Sequence, residues 1–244
     1  MPQQRSPFRV TTPTFTLSVS GMQQPFAALG KSVQKQACDI GAVPGKVCQI
    51  HPPAKAGQPG FQSIELPRYD CPVQAEGVWL DEPGSAATMQ TRDCPTLLFW
   101  NQQTGRLVFT HAGRPAMTTP VDCGGCQYNV VTTAARAAIK NGNPRDVHLW
   151  IVGSICGHCF VHESDDSEQY IAPFDKFGPT AFTNRSRGAL NLPAIITMQA
   201  QHYGIPPGQI HYDQWFCTKE HLAFASLRRG TTDRHNTVTV IRHQ

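Results

Sequence analysis

The sequence predicts an α+β domain, a mixed β-sheet with flanking helices, spanning residues 1–244 as one unit. Three observations predict it. β-prone runs, alternating or continuously apolar, recur along the chain. Two segments carry helical periodicity together with start and stop signals. One of those helices lies between two strands, the pattern of a strand–helix–strand unit. Twenty glycines and twenty prolines in 244 residues keep the elements short, and there is no convincing linker or repeat.

Taken in order, residues 8–20 (FRVTTPTFTLSVS) are β-branched and alternating, and predict one or two opening strands. LGKS at 29–32 has the end of a phosphate-binding loop, but that motif needs glycine where Pro25 stands, so the reading is rejected. KVCQIH at 46–51 is a short strand ending on His51, before Pro52-Pro53 and a loop-like stretch to residue 73. Thr91 to Gly113 (TRDCPTLLFWNQQTGRLVFTHAG) predicts a β-hairpin with turn chemistry at Asn101–Gly105. If Trp100 pairs with Gly105, Cys94 falls opposite His111, with Cβ atoms roughly 4.5–5.5 Å apart. That spacing suits two ligands of one metal, or a thiol and its base.

Gln127–Lys140 is a helix with Val131, Ala134 and Ala138 on one face and Asn141-Gly142 as its stop. VHLWIVG (147–153) is a buried strand. Asn191 caps a second helix over Leu192–Tyr203, stopped by Gly204. QIHYDQWFCT and LAFASLRR are β-like, and NTVTVIR closes the chain as a strand.

Composition narrows the function classes. The formal charge is +4 with no concentrated Lys/Arg run, which favours an anionic small substrate over nucleic acid. No run is long enough for a membrane span. The N-terminus MPQQRSPFRV lacks an apolar signal core, so a cytoplasmic location is expected. Nine cysteines, an odd number in that setting, argue against a disulfide framework and leave metal ligation, catalysis or plain burial.

The strand–helix–strand unit places strand C-termini and the helix N-terminus at one sheet edge. His111, the pair Cys123 and Cys126, and the pair Cys156 and Cys159 should therefore share one side of the domain. Two C-x-x-C pairs match a tetrahedral zinc set; inert thiols and a redox dithiol are the alternatives, although no clear helix follows Cys156-Gly-His-Cys159. His51, Cys94 and His111 form the second candidate. His51 alone reads as an ordinary solvated histidine, and Cys71 shares the Asp-Cys-Pro context of Cys94 without a histidine opposite it.

These pieces, in order, resemble the laccase-domain (YfiH-like) family of purine nucleoside phosphorylases, earlier described as multicopper polyphenol oxidases. They are Gln49-Ile50-His51, Thr91-Arg92-Asp93-Cys94, His111-Ala112-Gly113, Gly153-Ser154-Ile155-Cys156-Gly157, Cys217-Thr218 and Phe224-Ala225-Ser226-Leu227-Arg228-Arg229. The resemblance covers roughly residues 46–242. It implies a catalytic zinc on His51, Cys94 and His111, with one coordination position open. It also implies phosphorolysis of adenosine, inosine, guanosine or methylthioadenosine, with adenosine deamination as a second reaction. Lys31, Arg114 and Arg228 are the cations it assigns to the anionic substrate.

The chain departs from the family pattern at His111-Ala-Gly-Arg114-Pro115, which replaces a Trp-Arg pair. It departs again at Lys31 in place of an arginine, and at Glu76 in place of an aspartate. A second, structural zinc on the two C-x-x-C pairs would be a local elaboration. Alternatives are copper-dependent phenol oxidation, a Cys94/His111 hydrolase, and a zinc-stabilised binding domain without catalysis. Oligomeric state is not readable from the sequence.

Overall fold

A computed structural model of the chain describes residues 8–23, 30–119, 121–123, 126–163, 167–213 and 217–243. The elements begin with β1 (Phe8–Thr11), β2 (Phe15–Gln23), α1 (Gly30–Asp39), β3 (Val47–Ile50), β4 (Ile64–Glu65), β5 (Gly77–Leu80) and β6 (Ala86–Thr91). The hairpin β7 (Thr96–Asn101) and β8 (Leu107–His111) follows, then α2 (Arg114–Thr118), β9 (Val121–Cys123), β10 (Cys126–Tyr128), α3 (Val130–Ile139) and β11 (Val147–Val152). The last third holds α4 (Glu168–Ile171), β12 (Phe182–Asn184), β13 (Ala189–Leu190), α5 (Leu192–His202), β14 (Ile210–Tyr212) and β15 (His235–Arg242).

The mixed α+β class is as expected, but two large sheets replace the single sheet the sequence predicts. One has five strands in the order β1-β2-β15-β6-β3, the other six in the order β14-β11-β7-β8-β5-β4. Alternate residues of a strand face opposite sides, which explains the unbroken apolar runs. Leu98, Phe109, Trp150 and Val152 meet Phe15, Leu17, Met89 and Val240 of the other sheet. Their neighbours Leu97, Phe99, Val108, Leu149 and Ile151 face the helices, against Val131, Ala134 and Ala138 of α3 and Ile195, Ile196 and Ala200 of α5. The six-stranded sheet is thus buried on both faces, each large side chain contributing about 1.5–3 kcal/mol. A smaller layer, with Ala37 of α1 against Val47, Ala86 and Ile241, covers part of the five-stranded sheet.

The hairpin register differs from the expected one by two residues. Thr96, not Cys94, stands opposite His111, and Trp100 pairs with Leu107. The cause is Asn101, whose side chain accepts the amides of Gln103 and Thr104 and whose carbonyl accepts that of Gly105, at φ +68°. This side-chain turn lengthens the loop and pushes Cys94 off the ladder.

The strand–helix–strand unit is present with β7 between its two strands, because β8 and β11 both pair antiparallel with β7. Thr96 opposes both His111 and Val152, so the ends of β8 and β11 do share an edge. α3 starts at Val130 because Asn129 accepts the amides of Val131 and Thr132, while Thr132 accepts that of Asn129. Asn191 caps α5 as expected. LAFASLRR is not a strand: Asn236 holds both the N–H and the C=O of Ala225, and Leu227–Arg229 turn as a 3₁₀ helix. α1 was not anticipated.

Candidate active site

Backbone bonds bring three separated segments to the shared edge. The N–H of His51 donates to Val73 O at 2.9 Å, and that of His111 to Glu76 O at 2.8 Å, so one short strip anchors both histidines. Cys94 lies in the β6–β7 loop, where the buried Asp93 fixes the chain. Its carboxylate accepts the Thr218 hydroxyl at 2.7 Å and the Arg228 N–H at 3.1 Å, and its carbonyl accepts the Ile155 N–H at 3.0 Å.

His111 sits between two partners. Nδ1 donates to Glu76 Oε2 at 2.9 Å, and the Cys94 thiol interacts with the same imidazole. Glu76 is 1% exposed. Burial alone would depress the imidazolium, but the bonds and charges of Cys94 and Glu76 outweigh it and push the His111 pKa up to about 10. With Nδ1 occupied, Nε2 is the nitrogen left for a thiol or a metal. Gly113 allows this placement, since a Cβ there would lie 2.6 Å from His111 Cε1. His51 is partly buried, which lowers its pKa, and its Nε2 contacts the Gln49 side chain.

Beside Cys94 stands a second group. Pro115 opens α2, and Arg114 at its start lays its guanidinium 4.7 Å from the Tyr170 ring and 5.8 Å from Phe160. Arg228 lies over Phe160 as well, at 5.1 Å. Burial lowers both arginine pKa values. The neighbouring charge of Arg228 adds to the lowering at Arg114, which Cys94 partly offsets. Among the described residues neither guanidinium has a hydrogen-bond acceptor.

His162 joins them. It is 6% exposed, with Nδ1 on Gly188 O at 3.2 Å and Nε2 without a hydrogen-bond partner among the described residues. Burial, then the charges of Arg228 and Arg114, push its pKa down to about 4. Sequence reading missed His162, Phe160 and Tyr170. The available signal was Phe160-Val-His162 trailing the Cys156-Gly-His-Cys159 motif, a histidine that alternation places beside Phe160.

Of the predicted residues, Cys94, His111, Arg114 and Arg228 come together. The side chain of Lys31, in α1, lies outside the described residues, as do those of Cys123 and Cys126, which pair across β9 and β10. Cys156 and Cys159 have other partners than the expected C-x-x-C pair. Their sulfurs, Cys217 Sγ and a Glu220 carboxylate oxygen all lie within 4.8 Å of one another. This set could hold a metal ion. Among the described residues it is the one such group of His, Cys, Asp or Glu, and His51, Cys94 and His111 do not close to that spacing. A cavity of about 390 Å³ beside Phe8, Trp150, His211 and Phe224 shares no lining residue with the site.

A family model described as multi-copper polyphenol oxidoreductase laccase matches residues 44–242. A purine nucleoside phosphorylase of Streptomyces coelicolor is 26% identical over 173 residues, which span 69% of this chain and 65% of that protein. Two solved structures share the fold. YlmD of Geobacillus stearothermophilus has a TM-score of 0.69 at 18% identity, covering 100% of this chain and 98% of its own. The hypothetical protein YfiH of Bacillus licheniformis has a TM-score of 0.65 at 19% identity, covering 96% and 98%. No helix among the described residues is long and apolar enough to cross a membrane.

Proposed function

The chain belongs to the multi-copper polyphenol oxidoreductase laccase family, the YfiH-like fold, and on that premise we propose that it is a purine nucleoside phosphorylase. The observation that carries the reading is the pair of half-buried guanidiniums, Arg114 and Arg228, stacked on Phe160 next to the Cys94–His111–Glu76 chain. Two like charges held together without a hydrogen-bond acceptor among the described residues suit a multiply charged anion, and planar guanidiniums match phosphate oxygens two at a time. The relative in Streptomyces coelicolor carries the same activity in its name.

His51, Cys94 and His111 would hold the zinc. The donor chemistry fits, one thiol and two imidazoles with the buried Glu76 carboxylate orienting one of them. Cys94 and His111 already interact, and His51 would exchange its Gln49 contact for the metal. A zinc there would supply a Lewis acid.

The chain's own groups supply the rest. Arg114 and Arg228 hold phosphate and neutralise its charge, so that one oxygen faces the anomeric carbon. That oxygen forms the new C–O bond as the C–N bond to the base breaks, and the purine leaves with the electron pair and takes up a proton. The unpaired His162 Nε2 can accept a ribose hydroxyl, and the Phe160 and Tyr170 rings exclude water from the cations.

Incubation with adenosine, with and without phosphate, tests the reading. Adenine plus ribose-1-phosphate, dependent on phosphate and lost in Cys94→Ala, is the expected outcome. Inosine would establish deamination instead. Oxygen uptake with a phenol and copper, without nucleoside turnover, would establish phenol oxidation. A second reading rests on the same hydrogen bonds: Cys94, His111 and Glu76 form a thiol–imidazole–carboxylate relay suited to a hydrolase. Thiol-sensitive amide or ester hydrolysis that persists after chelation would favour it.

A further inference from the structure

We propose that Cys156, Cys159, Cys217 and Glu220 bind a structural zinc ion that clamps the Arg228-bearing segment to the loop carrying Phe160. The two halves of the site are built alike. Cys159 N–H donates to Cys156 O at 3.1 Å, and Glu220 N–H to Cys217 O at 3.2 Å. Each is a four-residue turn, extended by Phe160 N–H on Cys156 O and His221 N–H on Cys217 O, and each aims its first and fourth side chains at the other half. The Cys156 N–H donates to Cys217 Sγ at 3.3 Å, the kind of bond that stabilises a metal-bound sulfur.

The spacing fits one ion. Zinc bonds of ~2.3 Å to sulfur at tetrahedral angles set donors about 3.8 Å apart, so a group already within 4.8 Å needs only a small contraction. Cys159 Sγ and Glu220 Oε1, at 3.2 Å, are at that separation or closer. Cys217 and Cys156 are buried, and four filled positions make a closed, structural site. Three sulfur donors favour a soft or borderline ion over magnesium or calcium. The Arg229 guanidinium, hydrogen-bonded to the carbonyls of Thr218, Lys219, His221 and Phe224, brings positive charge to the turn that supplies Cys217 and Glu220.

The position gives the ion its role. Thr218, next to Cys217, binds the Asp93 carboxylate that also holds Arg228 N–H, and Phe160, next to Cys159, carries both guanidiniums. The inference does not depend on nucleoside chemistry at Cys94.

Elemental analysis and cobalt substitution of the full chain, purified reduced, test it. Cys159→Ser should lower zinc by one equivalent per chain. The thiolate-to-cobalt absorption should fall sharply in Cys156→Ser and survive for the most part in Cys94→Ala. Glu220 is exposed, so Glu220→Gln should fold while losing zinc to a chelator at least tenfold faster than the wild type. Unchanged zinc in Cys159→Ser, a cobalt spectrum abolished by Cys94→Ala alone, or a Cys156–Cys217 disulfide mapped in unreduced protein would each overturn the proposal. Since every readout is metal content, spectrum or bonding, the result stands apart from the outcome of the adenosine assay.

Discussion

The Cys94–His111 site and the Cys156–Cys217 cluster lie along the same sheet edge and both use cysteine thiols, yet they are built in opposite ways. The first gathers single residues from separate segments: His51 from just beyond the end of β3, Cys94 from a loop and His111 from the end of β8. The second is made of two local turns, each supplying two donors at i and i+3. Donors on tight turns are held at ligand spacing by their own backbone. Donors delivered by separate segments are not held at one ion's spacing by their own backbone. An assembled site in which two guanidiniums and one imidazole nitrogen lack hydrogen-bond partners among the described residues offers groups to a substrate, whereas a closed knot of three thiols and a carboxylate offers none.

Asp93 joins the two regions, so removing it is the strongest way to break the comparison. Asp93→Ala strands the Thr218 hydroxyl and the Arg228 N–H at ~1–3 kcal/mol each. A loss of about 4 kcal/mol in urea unfolding, with weaker metal retention at both sites, is expected. A loss below about 1 kcal/mol would show that the two regions are held independently.

His162, whose Nε2 has no hydrogen-bond partner among the described residues, sharpens the contrast next. Its folded pKa, about 4, lies below the ordinary 6.5. The unfolded chain therefore binds a proton between those values that the native site refuses, and stability falls as pH drops from 6.5 toward 4. The loss amounts to roughly 3 kcal/mol at most. It should vanish from the pH profile of His162→Gln. Saturating phosphate should shrink it in the wild type, because an anion offsets the repulsion from Arg114 and Arg228. A wild-type profile indifferent to phosphate would argue against an anion beside His162.

The smallest effect concerns the fork geometry of Arg228. Arg228→Lys keeps the charge and loses bidentate binding, so the KM for phosphate should rise ~10-fold with kcat changing less. Equal kinetics in the two proteins would leave Arg228 a purely structural partner of Phe160 and Asp93.

Much of the site was legible because its residues sit in short, ordered motifs. Gln49-Ile50-His51, Asp93-Cys94 and His111-Ala-Gly113 are each contiguous, and Arg114 and Arg228 are adjacent to such pieces. The strand–helix–strand topology correctly put His111 and Cys156 at one edge. The hairpin register was not legible, because it turned on one Asn101, whose side chain caps two amides of its own loop and whose carbonyl takes a third. The Cys217 and Glu220 partnership was hidden for another reason. Cys217-x-x-Glu220 is not a two-cysteine motif, and Cys217 falls at the end of a run expected to be β-like, with side chains alternating rather than converging.

The sequence by itself determined the strands, the two capped helices and the kinds of chemistry at one edge, since periodicity, caps and donor types are local properties. Only the tertiary structure decided which donors meet. Two sheets packed face to face, with Asp93 bridging Thr218 and Arg228, draw residues some 125 positions apart into contact. No local spacing encodes that convergence, because it depends on how buried apolar faces from distant segments stack on one another.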